Sequence, residues 1–170
     1  GASSLGGVFQ DLEEKQVIEA VFTAIESGIN FMDVSPYIGY YKAETVLGKA
    51  LKDISRDKYY LSTKVGRYGE NGVNTWDYSA NKVTASVYES MKRLNVEYLD
   101  IINVHDIEFA DLNQIVDETL PALMKLKEEG VVRHVGITDL QLENLKWVID
   151  SVPEGTVEAV RNFCNDCICD

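Results

Sequence analysis

The sequence of 170 residues lacks the features that would place it in several common classes of protein. All three cysteines, Cys164, Cys167 and Cys169, fall in the last seven residues, which is not the framework of a disulfide-rich secreted domain. Basic residues number 16 against 28 acidic ones and form no patch, which argues against nucleic acid or an anionic membrane as a partner. There is no run of 18 apolar residues and no basic leader at the N-terminus, so we expect no membrane span and favour a cytoplasmic location.

Proline is also scarce, with three residues, and no low-complexity tract or linker divides the chain. We therefore expect residues 1–170 to form a single domain. With 45% hydrophobic residues, a chain of this length can bury roughly 70% of the surface that its unfolded form exposes. That is enough for a well-packed core.

Apolar periodicity predicts helices and strands that alternate along most of the chain. Helices are expected over residues 11–27, at about 42–54, from Ser79 onwards, in the segment that ends at Gly130, and over 140–150. Short strands are expected at residues 3–9, 30–33, 59–64, 99–104, 132–138 and 157–160. A helix between successive strands, at intervals of roughly 25–40 residues, indicates right-handed βαβ units and a parallel sheet.

The glycine fingerprint G-x-G-x-x-G of an open nucleotide-binding sheet does not follow the first predicted strand. Polar residues instead follow the ends of successive strands: Asp33, Lys64, His105 with Asp106, Thr138 with Asp139, and Asn162 with Asn165. In a (β/α)8 barrel the carboxyl ends of the strands converge on one rim, where catalysis takes place. The pattern therefore predicts an α/β fold of the TIM-barrel type, truncated to about six βα units.

Three of these rim residues, Asp33, Lys64 and His105, together suit chemistry at a carbonyl group. A lysine held by an aspartate can lower the pKa of a nearby tyrosine, which then gives a proton to the carbonyl oxygen while a neutral histidine orients the substrate. Asp33 also has a simpler interpretation as a turn or helix cap, and His105 as a hydrogen-bonded loop residue. Lys64 is harder to explain in this way, because a lysine at the end of a buried strand is costly unless it is paired.

Four segments carry a resemblance to a known family: GINFMDVSPYIGYYKAETVLGKAL, YYLSTKVGRY, SMKRLNVEYLDIINVHDIEF and LPALMKLKEEGVVRHVGIT. Over nearly the whole chain the sequence is similar to aldo-keto reductases, most of all to the L-galactose dehydrogenase-like branch. The resemblance implies an eight-stranded barrel, NADP or NAD as cofactor, and a small-molecule sugar, alcohol or carbonyl substrate. It also implies a catalytic tetrad of which Asp33, Lys64 and His105 are present, and cofactor contacts at Thr138, Asp139 and Asn162.

Two departures from the family pattern concern activity. The acid–base tyrosine should stand five residues after Asp33, where the chain has Ile38, and the nearby substitutes are Tyr37, Tyr40 and Tyr41. The seventh and eighth βα units, which hold the cofactor's pyrophosphate and adenosine in the family, are also missing. These departures predict an impaired oxidoreductase or, alternatively, an inactive binding or assembly subunit. A partner chain or self-association would then cover the open edges of the sheet.

Three further features each have an ordinary and a functional interpretation. The pair Cys164-x-x-Cys167 has the spacing of metal ligands, but one pair with a single further thiol favours a strand end and no metal site. His134 alternates with apolar neighbours and is expected to be a packed residue rather than a ligand. The segment RYGENGVNTWDYS is either a loop over the substrate or an ordinary surface connection.

Overall fold

The computed structural model describes residue 2 and residues 14–70 and 73–162. The α-helices in these ranges are α1 (Glu14–Glu26), α2 (Lys42–Leu51), α3 (Ala80–Leu94), α4 (Leu112–Gln114), α5 (Leu120–Glu128) and α6 (Leu142–Ser151), and a π-helical turn (Ile115–Thr119) joins α4 to α5. The strands are β1 (Phe31–Asp33), β2 (Tyr60–Val65), β3 (Arg67–Glu70), β4 (Val73–Trp76), β5 (Leu99–Val104), β6 (Val132–Asp139) and β7 (Ala159–Asn162). The strand predicted at residues 3–9 lies outside the described residues. Across the described ranges, every helix is too short or too polar to cross a lipid bilayer.

Five strands form a parallel sheet in the order β1-β2-β5-β6-β7, and β3 pairs with β4 in a separate antiparallel hairpin. The structure thus confirms the βαβ units and the parallel sheet. β5 has its predicted bounds, but β7 begins two residues later than predicted, at Ala159. This shift places Arg161 and Asn162 inside β7 rather than after it.

Local residues explain where two of the helices begin and end. Ser79 precedes α3, and its side-chain oxygen accepts a hydrogen bond from the backbone N–H of Lys82 at 3.4 Å, as an N-cap does. Val83 of α3 is fully buried and packs in the core. Gly130 follows α5 with a φ of +78°, the left-handed conformation that glycine adopts without strain. The predicted start of α3 and the predicted end of α5 are both confirmed.

The sheet is curled rather than flat. β1 and β7 are its outermost strands among the described residues, and in a flat sheet four strand spacings would separate them by about 19 Å. Arg161 of β7 nevertheless forms an ion pair with Asp33 of β1, so the sheet bends enough for side chains of its two outermost described strands to meet. This is the curvature of a barrel wall, and it confirms the predicted barrel-type α/β fold.

The two faces of the curled sheet differ in chemistry because side chains alternate along each strand. The convex face packs against the helices, and its fully buried residues include Leu61, Ile102, Val104, Val135 and Ile137. The concave face carries polar residues, among them Asp33, Ser62, Lys64 and Asn103. The apolar face holds the fold together, and the polar face is available for chemistry.

Two predictions are wrong on the concave face, because no described helix covers it. Phe31 was expected in a buried strand but is 48% exposed. His134 was expected to be packed, but its side chain is 54% exposed and its Nδ1 lies 3.0 Å from Glu158 Oε1. Apolar neighbours in these strands therefore predicted burial correctly for the convex face but not for side chains on the concave face.

A buried ion pair ties α2 to its neighbours. Glu44 of α2 is completely buried, and its two carboxylate oxygens accept hydrogen bonds from Arg93 Nε of α3 and from the Thr63 hydroxyl of β2, both at 2.6 Å. Thr63 directly precedes Lys64 in the strand. The network therefore fixes two helices against the strand that carries Lys64.

Candidate active site

Asp33 and Lys64 form a buried ion pair at the carboxyl end of β1 and β2. The Lys64 Nζ lies 2.9 Å from each carboxylate oxygen of Asp33 and 2.9 Å from the carbonyl oxygen of Val34. The side chain of Lys64 is 4% exposed and that of Asp33 is 12% exposed. All three ammonium hydrogens thus have an acceptor, which is what a buried lysine requires.

The surroundings of this ion pair shift the pKa of both members. Burial raises the pKa of Asp33, but Lys64 and Arg161 together outweigh it, so the pKa of Asp33 lies below its ordinary value. For Lys64 burial is the largest influence and lowers the pKa of the ammonium, while Asp33 opposes this shift. Lys64 is therefore a stronger acid than an exposed lysine.

His105 lies next to the ion pair, directly after β5. Its backbone N–H donates to the carbonyl oxygen of Val65 at 2.8 Å, and its side chain is 11% exposed. Burial is the largest influence and lowers the pKa of His105 to about 4, against the opposing charge of Asp106, so the imidazole is neutral at pH 7. Its Nδ1 is buried and has no hydrogen-bond partner among the described residues.

Tyr37 is the loop tyrosine that packs against His105. The two ring centroids are 6.3 Å apart in a T-shaped arrangement, and the guanidinium of Arg67 lies 4.0 Å from the centroid of the Tyr37 ring. Ile38, the next residue, carries no proton that it could donate. The structure therefore places one phenol near the imidazole but none at position 38.

Tyr40 and Tyr41 make other contacts in the same loop. A Cβ built on Gly69 would lie 2.3 Å from a ring carbon of Tyr40, so this ring covers the glycine of the hairpin. The guanidinium of Arg93 lies 4.6 Å from the centroid of the Tyr41 ring, on the side of α3. The role of Tyr37, Tyr40 or Tyr41 as a substitute acid therefore stays a prediction.

The hairpin of β3 and β4 belongs to the rim of the site. Arg67 of β3 forms an ion pair with Asp106 at 2.5 Å, close to His105. Trp76 of β4 packs on Phe109 with ring centroids 5.0 Å apart, and both rings are partly exposed. These contacts favour the substrate-loop interpretation of the segment RYGENGVNTWDYS, whose Asn-Gly pair is a sequence signal for a hairpin.

Tyr78 positions the backbone that carries His105, and no sequence pattern had indicated it. Its hydroxyl lies 2.8 Å from the carbonyl oxygen of His105 and 2.9 Å from that of Asp106, and it donates to this pair of oxygens. Burial is the main reason why the pKa of Tyr78 is raised, so the phenol keeps its proton. The contact links the hairpin side of the rim to the loop after β5.

The three residues predicted to bind the cofactor lie at the ends of β6 and β7. Thr138 Oγ1 accepts a hydrogen bond from the backbone N–H of Asp106 at 2.8 Å, and the Asp139 carboxylate accepts two from the start of α6. Asn162 donates to the Asp139 carbonyl oxygen at 2.7 Å, and its own Oδ1 is buried without a partner among the described residues. A free amide oxygen suits an N–H donor such as the carboxamide of nicotinamide, so the residues present fit that part of the cofactor at Asn162.

Arg161 contacts the ion pair, although the sequence pattern did not predict it as a site residue. It pairs with Asp33 and lines, together with Ser62, a groove of about 370 Å³ on the concave face. The prediction that β7 ends at residue 160 left Arg161 outside the strand. Alternation from Ala159 onwards would have placed it on the inner face.

The three cysteines, for which a metal site was weighed against a strand end and the strand end favoured, lie outside the described residues. Within the described ranges no group of three His, Cys, Asp or Glu side chains is arranged to hold a metal ion. The interpretation without a metal at Cys164 and Cys167 stays a prediction.

Comparison with known proteins assigns the family. The model of the aldo/keto reductase family matches residues 1–167 of the chain. L-galactose dehydrogenase from Arabidopsis thaliana is 47% identical over 167 residues, and D-arabinose 1-dehydrogenase from Saccharomyces cerevisiae is 35% identical over 175 residues. Each alignment covers 97% of this chain, and 51% and 50% of the respective relative. The chain thus spans about half the length of the curated relatives that it matches.

A solved structure agrees with this assignment at the level of the fold. The holo form of an aldo-keto reductase from Bacillus halodurans superposes with a TM-score of 0.81 at 29% identity, over 95% of this chain and 51% of that chain. The curled parallel sheet is therefore part of an aldo-keto reductase fold. On the match to the family model across residues 1–167, the chain belongs to the aldo/keto reductase family.

Proposed function

We propose that the protein is an oxidoreductase of the aldo-keto reductase type, which uses NADP or NAD to interconvert the alcohol and carbonyl forms of a sugar. The observation that carries this proposal is the buried Lys64–Asp33 ion pair beside a neutral His105. A buried ion pair contributes little to stability because desolvation offsets most of the attraction. A chemical task therefore explains its presence better than a structural one.

Each member of the constellation has its own task in this proposal. Neutral His105 orients the carbonyl of the substrate. The Lys64 ammonium stabilises the negative charge that develops on the carbonyl oxygen, and Asp33 keeps the ammonium in place. A bound nicotinamide supplies or accepts a hydride, and Asn162 would hold its carboxamide.

The phenol missing at position 38 makes the proposed reaction slow. Loss of a general acid typically costs about 10²- to 10⁴-fold in rate, so Ile38 impairs the chemical step without removing charge stabilisation or substrate orientation. The protein in this proposal is an impaired enzyme.

An aldose is the proposed class of substrate. The two curated relatives are named as dehydrogenases of L-galactose and D-arabinose. The rim combines the polar imidazole of His105 with the exposed aromatic surfaces of Trp76 and Phe109, which suits a ring that has both hydroxyl groups and an apolar face. A cytoplasmic location accompanies this proposal, because a reducing compartment suits a chain whose cysteines form no disulfide framework.

Absorbance of the reduced nicotinamide, followed with a panel of aldoses and aldehydes, tests the proposal. Lys64→Met and His105→Phe should each lower the turnover of the best substrate by about 10²-fold or more, since each removes one of the groups that act on the carbonyl. His134→Gln is the control, because that histidine lies on the same face but pairs with Glu158 outside the site. Unchanged turnover in Lys64→Met would contradict the proposal.

The alternative function is that of an inactive binding or assembly subunit, and two observations favour it. Position 38 lacks a phenol, and β7 has β6 as its sole strand partner among the described residues, which gives another chain an edge with which to pair. If the protein is such a subunit, even the Ile38→Tyr variant should turn over no aldose. The protein should also form a stable complex with a partner chain or with a second copy of itself. Turnover that depends on Lys64 would exclude this alternative.

A further inference from the structure

Arg161 brings a second cation to Asp33. It lies on β7 beside Thr138 of β6, and its side chain, 60% exposed, reaches across the concave face to the carboxylate. Its Nη1 donates to Asp33 Oδ2, which also accepts from Lys64 Nζ at 2.9 Å. Two cations, one from β2 and one from β7, thus share a single carboxylate.

The sharing matters because the Lys64 ammonium has no spare hydrogen. Its three contacts are the two oxygens of Asp33 and the carbonyl oxygen of Val34. An ammonium has three hydrogens, so Lys64 must release one of these acceptors before it can bond to a substrate. Asp33 Oδ2 is the acceptor that can be released at least cost, since Arg161 continues to satisfy it.

We propose that Arg161 is a positioning residue that holds Asp33 while Lys64 donates a proton to the carbonyl oxygen of the substrate. The inference rests on the proposed function and names the acid that replaces the phenol missing at position 38. His105 is a poorer candidate for this acid, because burial lowers its pKa to about 4 and leaves the imidazole neutral at pH 7.

The proton transfer balances as an ordinary carbonyl reduction. As the carbonyl carbon gains a hydride from a donor of the nicotinamide class, the π bond breaks and its electron pair goes to the oxygen. The oxygen takes a proton from Lys64 Nζ, one N–H bond breaks, and the neutral amine that remains is protonated again by solvent. In the direction of oxidation the amine accepts the proton of the substrate hydroxyl.

Burial and the charge of Arg161 favour this transfer, whereas the two nearby carboxylates oppose it. Burial lowers the pKa of Lys64 the most, Asp33 and Asp106 raise it, and Arg161 lowers it further. His105 also lies near Lys64 and is neutral. Replacing Arg161 by an uncharged residue should therefore raise the pKa of Lys64 and make it a weaker acid.

An NMR titration of Lys64 tests the positioning role without any substrate. In protein labelled with ¹³C at the lysine Cε, the Lys64 signal is assigned by its loss in Lys64→Arg. This signal should titrate at higher pH in Arg161→Met than in the unmodified protein, and Arg161→Lys should restore the original titration. If Arg161→Met fails to fold, Arg161→Lys tests the proposal alone. This variant keeps a cation at position 161, so a Lys64 signal that still titrates at higher pH than in the unmodified protein would contradict the proposal.

Arg133→Met is the matched control for this titration. Arg133 is 53% exposed, lies on the neighbouring strand β6 and pairs with Asp100 of β5, so it resembles Arg161 without touching Asp33. Its loss should leave the Lys64 titration unchanged. A folded Arg161→Met variant in which the Lys64 titration does not move would overturn the positioning role.

Turnover tests the donor role separately. Lys64→Arg keeps the positive charge but does not release a proton at working pH, so kcat should fall by about 10²-fold or more. Arg161→Met should lower kcat by about 10-fold with little change in KM.

Unchanged kcat in Lys64→Arg, or loss of activity in Tyr37→Phe, would overturn Lys64 as the donor. If the Lys64 titration moves as expected but no aldose is turned over, the proposed function fails while the role of Arg161 in the ion pair is supported.

Discussion

Position 38 lies in the loop between β1 and α2, one residue after the ring that packs on His105. Restoring a phenol there should supply a general acid next to the Lys64–Asp33 pair. We expect Ile38→Tyr to raise kcat by about 10²-fold or more, with a smaller change in KM, because the phenol acts in the transition state. Stopped-flow absorbance of the nicotinamide would measure the gain.

Two controls separate a missing acid from missing cofactor. Fluorescence titration with reduced nicotinamide dinucleotide should give the same affinity for the unmodified protein and for Ile38→Tyr. Ile38→Phe adds the ring without the hydroxyl and should leave kcat unchanged. An equal gain in Ile38→Phe would show that the effect comes from packing and not from proton transfer.

His105 makes the fold sensitive to mild acid. Its pKa is about 4 in the folded protein against an ordinary value of 6.5, so the unfolded chain binds a proton that the folded chain does not. The free energy of unfolding should therefore be highest above pH 6.5 and fall as the pH drops towards 4, by roughly 3 kcal/mol. The pKa of Asp33 is lowered, so protonation of Asp33 reduces the free energy of unfolding further only when the pH falls below about 3.8, the ordinary pKa of an aspartate.

Urea unfolding at pH 7.0, 5.5 and 4.5 would measure this dependence. His105→Gln should flatten it over that range, whereas His134→Gln, at the exposed histidine of β6, should retain it. A free energy of unfolding that stays constant from pH 7.0 to 4.5 in the unmodified protein would disagree with a buried neutral His105.

At the scale of the elements, Gly48 marks the point where α2 crosses α3. A Cβ at this position would lie 2.0 Å from the carbonyl oxygen of Arg93 and 2.9 Å from the Cα of Leu94. Glycine to alanine within a helix normally stabilises by about 1 kcal/mol. Here the backbone of α3 would have to move, so we expect Gly48→Ala to lower the free energy of unfolding by about 1–3 kcal/mol.

Urea unfolding checks this expectation, with Thr45→Ala as the control. Thr45 is exposed on the same helix, and its replacement should change the free energy of unfolding by less than about 0.5 kcal/mol. If the Gly48→Ala variant is as stable as the unmodified protein, α2 and α3 can move apart without a decrease in the free energy of unfolding, and the expectation is wrong.

The elements and part of the site were predictable from the sequence for a local reason. Asp33 ends an apolar run and Lys64 ends the predicted strand YYLSTK, so in both cases a strand and the residue at its carboxyl end could be identified together. The pairing of Asp33 with Arg161 joins residues 128 positions apart and depends on the curl of the sheet. Curl accumulates from small twists in every strand. No single run of residues specifies it, and Arg161 therefore escaped prediction.

At the scale of the whole molecule, the outermost strands should control association. β7 pairs with β6 and has no further strand partner among the described residues, and its Val160 is 49% exposed. We expect the protein to associate at micromolar concentration, since an open parallel edge offers unpaired backbone groups to another chain. Val160→Lys should shift sedimentation velocity profiles towards the monomer.

Tyr88→Lys provides the control for this experiment, because Tyr88 of α3 is 47% exposed but lies away from the sheet edge. It should leave the sedimentation profile unchanged. A monodisperse monomer at all concentrations of the unmodified protein would show that the edge does not mediate association.

The buried carboxylate of Glu44 also has a consequence for how the chain folds. A partly folded intermediate with α2 docked on β2 but without α3 would enclose this charge without the guanidinium of Arg93, at a cost of several kcal/mol. Such an intermediate is too unstable to accumulate. We therefore expect local opening to release α3 only together with α2, so that the first βα units open as one cooperative block.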